Sequence, residues 1–487
     1  MTLQFDQSSR LSITALSLAT LFGFSLAACT DPMDPTDDGD ELGEDGTDGA
    51  DADEEGEDDS TEDEGEEESG GEAQTFVVEI ENVSPSTGHL LSGTTAVPEG
   101  ADEPGPLLPG STYVVDFHAG PGHAISFAHM FVPSNDLFYG PDSDGIALYD
   151  AEGNPRSGDV TDEVLLWDAG TEANEEPGAG PNQVLNQGDA DTGPADPDTS
   201  VRLASDDFGN LPEVSDVLSV ELIAHGDSMF SLRLTNVSTG TTLTSSEGDS
   251  PVPVAPGVWA VHGEGEAPLF MEGQPDAGDG LEALAEDGAI DGLAAALAER
   301  TALVGPLAPG VWVVHGEQPA LFEVGEADLG QGLEALAEDG DPSGLEASLL
   351  DAGYAAGAYA VPEGADGPGP LFSGARYSFT VEAAPGDHLS FANMLVQSND
   401  LFYGLDAAGL ALFSEDGAPI SGDLTAQIQL WDAGTEVNQF PGAGLDQAPR
   451  QSGPNTGADE GGVVMVVDDG YAYPAVSDVV RVTITPQ

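Results

Sequence analysis

From Thr75 onward, apolar and polar residues alternate over short runs, as in Tyr113-Val114-Val115-Asp116-Phe117, Tyr377-Ser378-Phe379-Thr380-Val381 and Val480-Arg481-Val482-Thr483-Ile484. A period of two places every second side chain on one face, so each run reads as a strand with one buried side. Clusters of Gly, Pro, Asn and Asp separate the runs, and the 64 Gly and 35 Pro of the chain supply turns for many strands. The pattern predicts an all-β chain built of antiparallel β-sandwiches.

Two stretches keep a different period. GLEALAEDG occupies residues 280–288 and again 332–340, and places Leu281, Leu284 and Ala285, or Leu333, Leu336 and Ala337, at helical spacing, with Gly288 or Gly340 available as a C-terminal cap. APGVWAVH (255–262) and APGVWVVH (308–315) precede them. Each module therefore reads as a hairpin followed by a short helix.

The strands themselves recur. VPEGADEPGPLLPG (97–110) returns as VPEGADGPGPLFSG (361–374), SNDLFYG moves from 134 to 398 and LWDAGTE from 166 to 430, all at one offset of 264 residues. Opening strands (76–88 and 230–240) and closing strands (213–223 and 475–484) also match. These repeats divide the chain into a leader (1–28), a disordered acidic tether (29–74), a first unit (75–226) and a second unit (228–487). The second carries the hairpin-helix module twice, at 252–300 and 305–352, and the first has none. Residues 252–300 could instead pack on the first unit and cover an open sheet edge, since exposed edges invite aggregation.

Charge narrows the function. Asp and Glu number 91 against 8 Arg and no Lys, giving a formal charge of −83 at pH 7. Without lysine there is no Walker-type phosphate loop and no Schiff-base chemistry. So negative a field repels nucleic acid and anionic lipid surfaces.

Residues 11–28 (LSITALSLATLFGFSLAA) form one apolar run after Arg10, ending directly before Cys29, the only cysteine. This reads as a bacterial lipoprotein signal peptide, with cleavage before Cys29 and lipidation of its sulfur. Thr30 at the next position implies delivery to the outer membrane, so the expected location is the cell envelope, anchored by lipid and facing outward. With Cys29 lipidated, the mature chain has neither a disulfide nor a catalytic thiol. Residues 31–73 then hold 23 Asp and Glu and no basic residue, a composition that cannot offset chain entropy by burial.

Along the strands the two copies differ freely, yet SNDLFYG and LWDAGTE are identical. Both bring carboxylates to the ends of apolar strands: Asp136, Asp168 and Glu172 in the first copy, Asp400, Asp432 and Glu436 in the second. Hard oxygen ligands converging from loops suit calcium, as does a solvated acidic surface without any ion. Asp142-Ser143-Asp144-Gly145 imitates a calcium loop but lacks the Glu an EF-hand requires, and reads as a turn. His118, His123 and His129 become Glu382, Asp387 and Asn393 in the second copy, which argues against zinc. Trp167, Trp431, Trp259 and Trp312 stand at equivalent positions and read as core rather than as sugar-stacking platforms.

Both units resemble the spondin domain of F-spondin-like extracellular proteins and their bacterial relatives. The resemblance rests on NVS (82–84, 236–238), LFxxG with GLEALAEDG, GPLxxG, AxMxVxSNDLFYG and WDAGTE, and covers nearly all of 75–487. It implies a C2-like β-sandwich with a calcium site. The acidic ligands so implied are Asp136, Asp168 and Glu172, and Asp400, Asp432 and Glu436. The last acid is Glu where animal spondins have Asp, and the added methylene shifts its oxygen outward.

No G-x-S-x-G elbow, no usable Cys or Lys and no His paired with a Ser motif is present, so the chain does not read as an enzyme. The expected role is a calcium-binding adhesion module that contacts an extracellular glycan, matrix or neighbouring-cell protein. The alternatives are a surface coat assembling through sandwich edges, and a carboxylate-dependent hydrolase. Lipid anchoring has a direct test: wild-type protein should partition with membranes and show an acylated N-terminus by mass spectrometry, and Cys29→Ser should leave an unlipidated precursor. An unmodified mature N-terminus would refute it.

Overall fold

In a computed structural model, residues 73–487 are described; the apolar leader 11–28, Cys29 and nearly all of the acidic tether lie outside the described residues. Over residues 73–487 the strand ladders are antiparallel and no sheet closes into a barrel. Among these residues no helix is long and apolar enough to cross a membrane.

Two sheets of seven strands and two of four form the bulk of the fold. The first seven-stranded sheet runs Leu91–Thr95, Val254–Gly263, His123–Phe131, Leu137–Gly140, Leu165–Asp168, Arg202–Leu203, with Ile146–Ala147 beside His123–Phe131. It faces a four-stranded sheet of Thr112–His118, Met229–Asn236, Leu218–Gly226 and Gly158–Asp159. Tyr113, Phe117, Val220, Leu222 and Leu232 from the small sheet meet Ile125, Phe127 and Tyr139 from the large one in a single core. The second pair repeats this with Ala355–Tyr359, Leu307–His315, His388–Leu395, Leu401–Gly404, Gln429–Asp432 and Met465–Val466 over Arg376–Ala383, Gln74–Asn82, Val480–Pro486 and Gly422–Asp423. The strands His123–Phe131 and His388–Leu395 are buried on both faces, and their inward polar residues Ser126 and Ser390 are bonded to His262 and His315.

The outer faces of the large sheets are covered by helices. Leu281, Leu284, Leu293 and Leu297 pack on Ala128, Phe138, Trp167 and Val258, and Leu333, Leu336, Leu345 and Leu349 do the same in the second half. Each module holds two helices where one was expected: Leu281–Asp287 with Asp291–Arg300, and Leu333–Asp339 with Ser343–Asp351. The second of each pair forms because Leu293 and Leu297, or Leu345 and Leu349, stand four apart and bury one face.

Strand pairing cuts across the boundary expected at residues 226 and 228. The opening strand Gln74–Asn82 lies between Arg376–Ala383 and Val480–Pro486, with Phe76, Val78 and Ile80 in the second core. The other opening strand, Met229–Asn236, pairs with Leu218–Gly226 and Thr112–His118 in the first half. Val254–Gly263 also belongs to the first half, paired with Leu91–Thr95 and His123–Phe131. Each half thus has one module, in which a single central strand of the large sheet replaces the expected hairpin, and a continuous first half is inserted between the opening strand and the remainder of the second.

Each opening strand is fastened by its Asn-Val-Ser. Asn82, fully buried, donates through Nδ2 to the carbonyls of Gly305 (3.1 Å) and Leu371 (2.8 Å), while its Oδ1 accepts from Ser84. Asn236 does the same with Leu107 (2.8 Å), Val252 (2.7 Å) and Ser238. Asn82→Ala would leave two buried carbonyls without this donor, so it should lower unfolding free energy by about 1–3 kcal/mol in urea titration. An unchanged midpoint would show that the clasp is dispensable.

Candidate metal centres

Both candidate centres arise where the large sheet turns back on itself. After His123–Phe131, the Ser134 hydroxyl donates to the Phe131 carbonyl at 2.6 Å and accepts the Leu137 N–H at 3.0 Å, folding the chain into the next strand. Ser398 makes the same pair with Leu395 (2.6 Å) and Leu401 (3.2 Å). Asp136 and Asp400 are held at the mouth of these turns. Leu137 pairs with Asp168, and Leu401 with Asp432, so the neighbouring strand end delivers the second carboxylate.

The Asp-Ala-Gly-Thr-Glu stretch then wraps Asp136 or Asp400. Asp168 Oδ1 accepts the Gly170 N–H at 2.7 Å, and Gly170 takes φ +69°, where a Cβ would lie 2.6 Å from the Ser200 carbonyl oxygen. That turn aims the Thr171 and Glu172 N–H groups at Asp136 Oδ2, each at 3.1 Å. In the second half, Thr435 and Glu436 donate to Asp400 Oδ2 at 2.8 and 3.1 Å. The other oxygen, Oδ1, of Asp136 and of Asp400 is buried with no hydrogen-bond partner among the described residues.

These carboxyls are therefore costly to ionise. Burial, reinforced by the Asp168 charge, pushes Asp136 up to about 8, and burial with the Asp432 charge pushes Asp400 up to about 7. Burial also raises Asp168, Glu172, Asp432 and Glu436.

The expected triads are only partly assembled. Asp136 with Asp168, and Asp400 with Asp432, come together. The acid whose oxygen joins Asp400 and Asp432 within 4.8 Å is Glu460, while Glu436 Oε2 accepts from Asn399 at 2.9 Å. In the first half, Arg202 reaches Asp168 Oδ2 at 3.0 Å and Asp196 Oδ2 at 2.8 Å. Asp196 is the counterpart of Glu460, and strand register makes Met465 the counterpart of Arg202, since Asp168 pairs with Arg202 and Asp432 with Met465. A built-in guanidinium thus pairs with Asp168 and Asp196 in the first half, and the uncharged Met465 stands at that position in the second.

Glu172 turns its carboxylate away from Asp136, towards the helix. Its oxygens, with those of Asp191 and Glu286, also lie within 4.8 Å of one another. Glu286 and its counterpart Glu338 were not singled out in the sequence because they sit among apolar positions of a helix in a chain crowded with acids. Their repetition in both modules was the available signal. Both are buried, and burial pushes them up to about 8 and about 7. The Thr171 hydroxyl offsets this only in part for Glu286, its Oγ1 lying outside hydrogen-bond geometry.

The other candidates fall elsewhere. Asp142–Gly145 is a turn closed by Asp144 N–H on Asp142 Oδ1 at 3.1 Å. His129 is buried, its Nδ1–H donating to the Ala255 carbonyl at 3.0 Å, and His118 stacks on Phe440 at 4.4 Å. No His joins an acidic metal-type group among the described residues. Trp167 and Trp431 are buried, with Trp167 Nε1 donating to the Pro141 carbonyl at 3.0 Å. Trp259 and Trp312 lie over Gly93 and Gly357, where a Cβ would approach the indole to 2.7 and 3.0 Å.

No protein-family model matches the chain, and a search of curated proteins finds no match.

The raised carboxyls fix a sign for pH dependence. Between about pH 7, above which unfolded histidines are largely neutral like the buried ones of the fold, and about pH 8, where Asp136 and Glu286 titrate, the folded chain binds more protons than the unfolded one. Stability in chelator should therefore fall as pH rises through that window, and calcium should flatten the fall by favouring the ionised forms. Thermal denaturation across the window, with and without calcium, checks this. A melting temperature that climbs with pH in chelator would contradict it.

Proposed function

We propose that this protein is a surface lipoprotein whose folded part is a pair of spondin-like β-sandwiches, and that it binds calcium at its loop ends to engage an extracellular glycan, matrix or neighbouring-cell protein. The observation that carries the calcium reading is Asp400. Its side chain is fully buried, its Oδ2 is satisfied by backbone N–H groups, and its carboxylate lies within 4.8 Å of those of Asp432 and Glu460. Three carboxylates this close repel one another, and oxygen atoms at that spacing are within reach of one ion with ligand distances of about 2.3–2.6 Å. A dication reverses the local repulsion. Met465, opposite Asp432, leaves that need unmet by the chain itself, whereas Arg202 pairs with Asp168 at that place in the first half.

The adhesion reading is supported by loops carried at the ends of packed sheets, the lipoprotein-type leader and the acidic tether expected to hold the fold away from the membrane. The charge of −83 argues against polyanionic partners.

Calcium at about 100 times its dissociation constant should stabilise the native state by about 2.7 kcal/mol per site. Magnesium should do much less, because it demands a tight octahedral shell and loses water reluctantly. Asp400→Asn keeps the acceptor for the Thr435 and Glu436 N–H groups and should abolish the calcium-specific stabilisation of the second half. Scanning calorimetry at matched ionic strength is the measurement. Equal shifts with sodium, magnesium and calcium, or an undiminished response in Asp400→Asn, would leave these loops as ordinary acidic turns.

A further inference from the structure

The two halves compensate their acids at different places. At the strand-end position the first half has Asp136, Asp168 and Asp196, with Arg202 paired to the last two, and the second has Asp400, Asp432 and Glu460 with Met465. At the helix-facing position the pattern reverses. The first half brings Glu172, Asp191 and Glu286 within 4.8 Å, and the second has Glu436, Asn455 and Glu338, with Asn455 donating to Glu334 Oε1 at 2.8 Å. Three acids converge once in each half, at different sites.

The helix-facing cluster is more than a patch of surface charge. Glu286 is 2% exposed and neither of its oxygens has a hydrogen-bond partner among the described residues. Glu172 is equally buried; its Oε1 takes the Gly193 N–H at 2.6 Å, and its Oε2 has no partner. Two buried carboxylates therefore turn free oxygens into the same space, and Asp191 closes it from the solvent side. The loop is fastened against the helix by Gln187 Nε2 donating to Asp287 Oδ1 at 2.6 Å, which fixes Glu286 relative to the strand ends. A buried carboxylate without a donor is costly unless a positive charge joins it.

We propose that Glu172, Asp191 and Glu286 form a divalent-cation site of the first half, distinct from the strand-end position that Arg202 neutralises. The inference rests on the reading of these loop ends as calcium sites, and extends it to a ligand set that includes a helix residue. Oxygen-only ligands, one of them at the surface, suit calcium, with backbone carbonyls or water completing its shell.

Calcium titration of the full chain by calorimetry tests this through stoichiometry. Two ions per chain are expected. Asp191→Asn, at an exposed position and reproducing the second copy's Asn455, should remove one, as should the isosteric Glu286→Gln; Asp400→Asn should remove the other. Two ions retained in both Asp191→Asn and Glu286→Gln, with one lost in Asp168→Asn, would place the first ion on the Asp136–Asp168 pair and overturn the proposal. A wild-type chain binding a single ion that disappears in Asp400→Asn would overturn it while leaving the second-half reading intact. A single ion that disappears in Asp191→Asn would uphold it and remove the second-half reading. No binding at all would overturn both.

Discussion

Fixed positive charge is the scarce component of this molecule. Ninety-one acids share eight guanidinium groups, so a buried carboxylate is compensated by backbone N–H groups, by a proton, by one of a few arginines or by a cation from solution. Arg156, Arg233 and Arg300 make surface pairs with Glu163, Glu99 and Asp279, which water and salt screen and which add little to stability. Arg376 and Arg481 flank the opening strand Gln74–Asn82 and hold its outward-facing Glu79 and Glu81. Arg450 binds the Gly444 carbonyl and the side-chain oxygens of Gln397 and Gln447, and burial lowers it to about 10. Among the described residues only Arg202 enters an acidic centre, which makes the two halves electrostatically unequal although their sheet orders match.

The same strand that attracts two arginines also ties the halves together. Gln74–Asn82 contributes Phe76, Val78 and Ile80 to the second core before the chain enters the first half, so that core is incomplete without it. Its position beside Val480–Pro486 brings the two ends of the described chain together, with the Gln487 N–H on the Thr75 carbonyl at 2.9 Å. Read along the chain, the first half runs body, opening strand, module, whereas the second runs opening strand, module, body. An insertion of one copy into the other, with its order permuted, leaves each half with a full set of parts.

The sequence made the strands, the duplicated module and both identical loop stretches legible, because period, turn residues and repetition are local properties. It did not make the partner of each opening strand legible. FVVEIENVS and FSLRLTNVS carry the same alternation and the same clasp, so neither pattern distinguishes one core from the other. What decides is the two-residue turn Asp227-Ser228, with φ of 48° and 58°, which folds Leu218–Gly226 directly onto Met229–Asn236 as a hairpin. That slot is then filled, and Gln74–Asn82 pairs elsewhere. Asp and Ser are weaker signals for such a turn than Asn-Gly, which is why the repeat pattern pointed to a boundary between those two strands.

The acidic centres divide along the same line. Asp136, Asp168, Asp400 and Asp432 were legible because strand register places adjacent strand ends together. Glu286, Asp191 and Glu460 come from a helix and from long irregular loops, where no period relates position to direction, and single acids are uninformative in a chain with so many. The direction of Glu172 and Glu436 was likewise hidden: their N–H groups cap Asp136 and Asp400, which turns the side chains outward from the pair they were expected to complete. The longer Glu side chain then reaches across to the loops of Gly193 or Asn399. The methylene separating Glu from Asp thus alters which neighbours the carboxylate meets, and with them the set of groups able to share one cation.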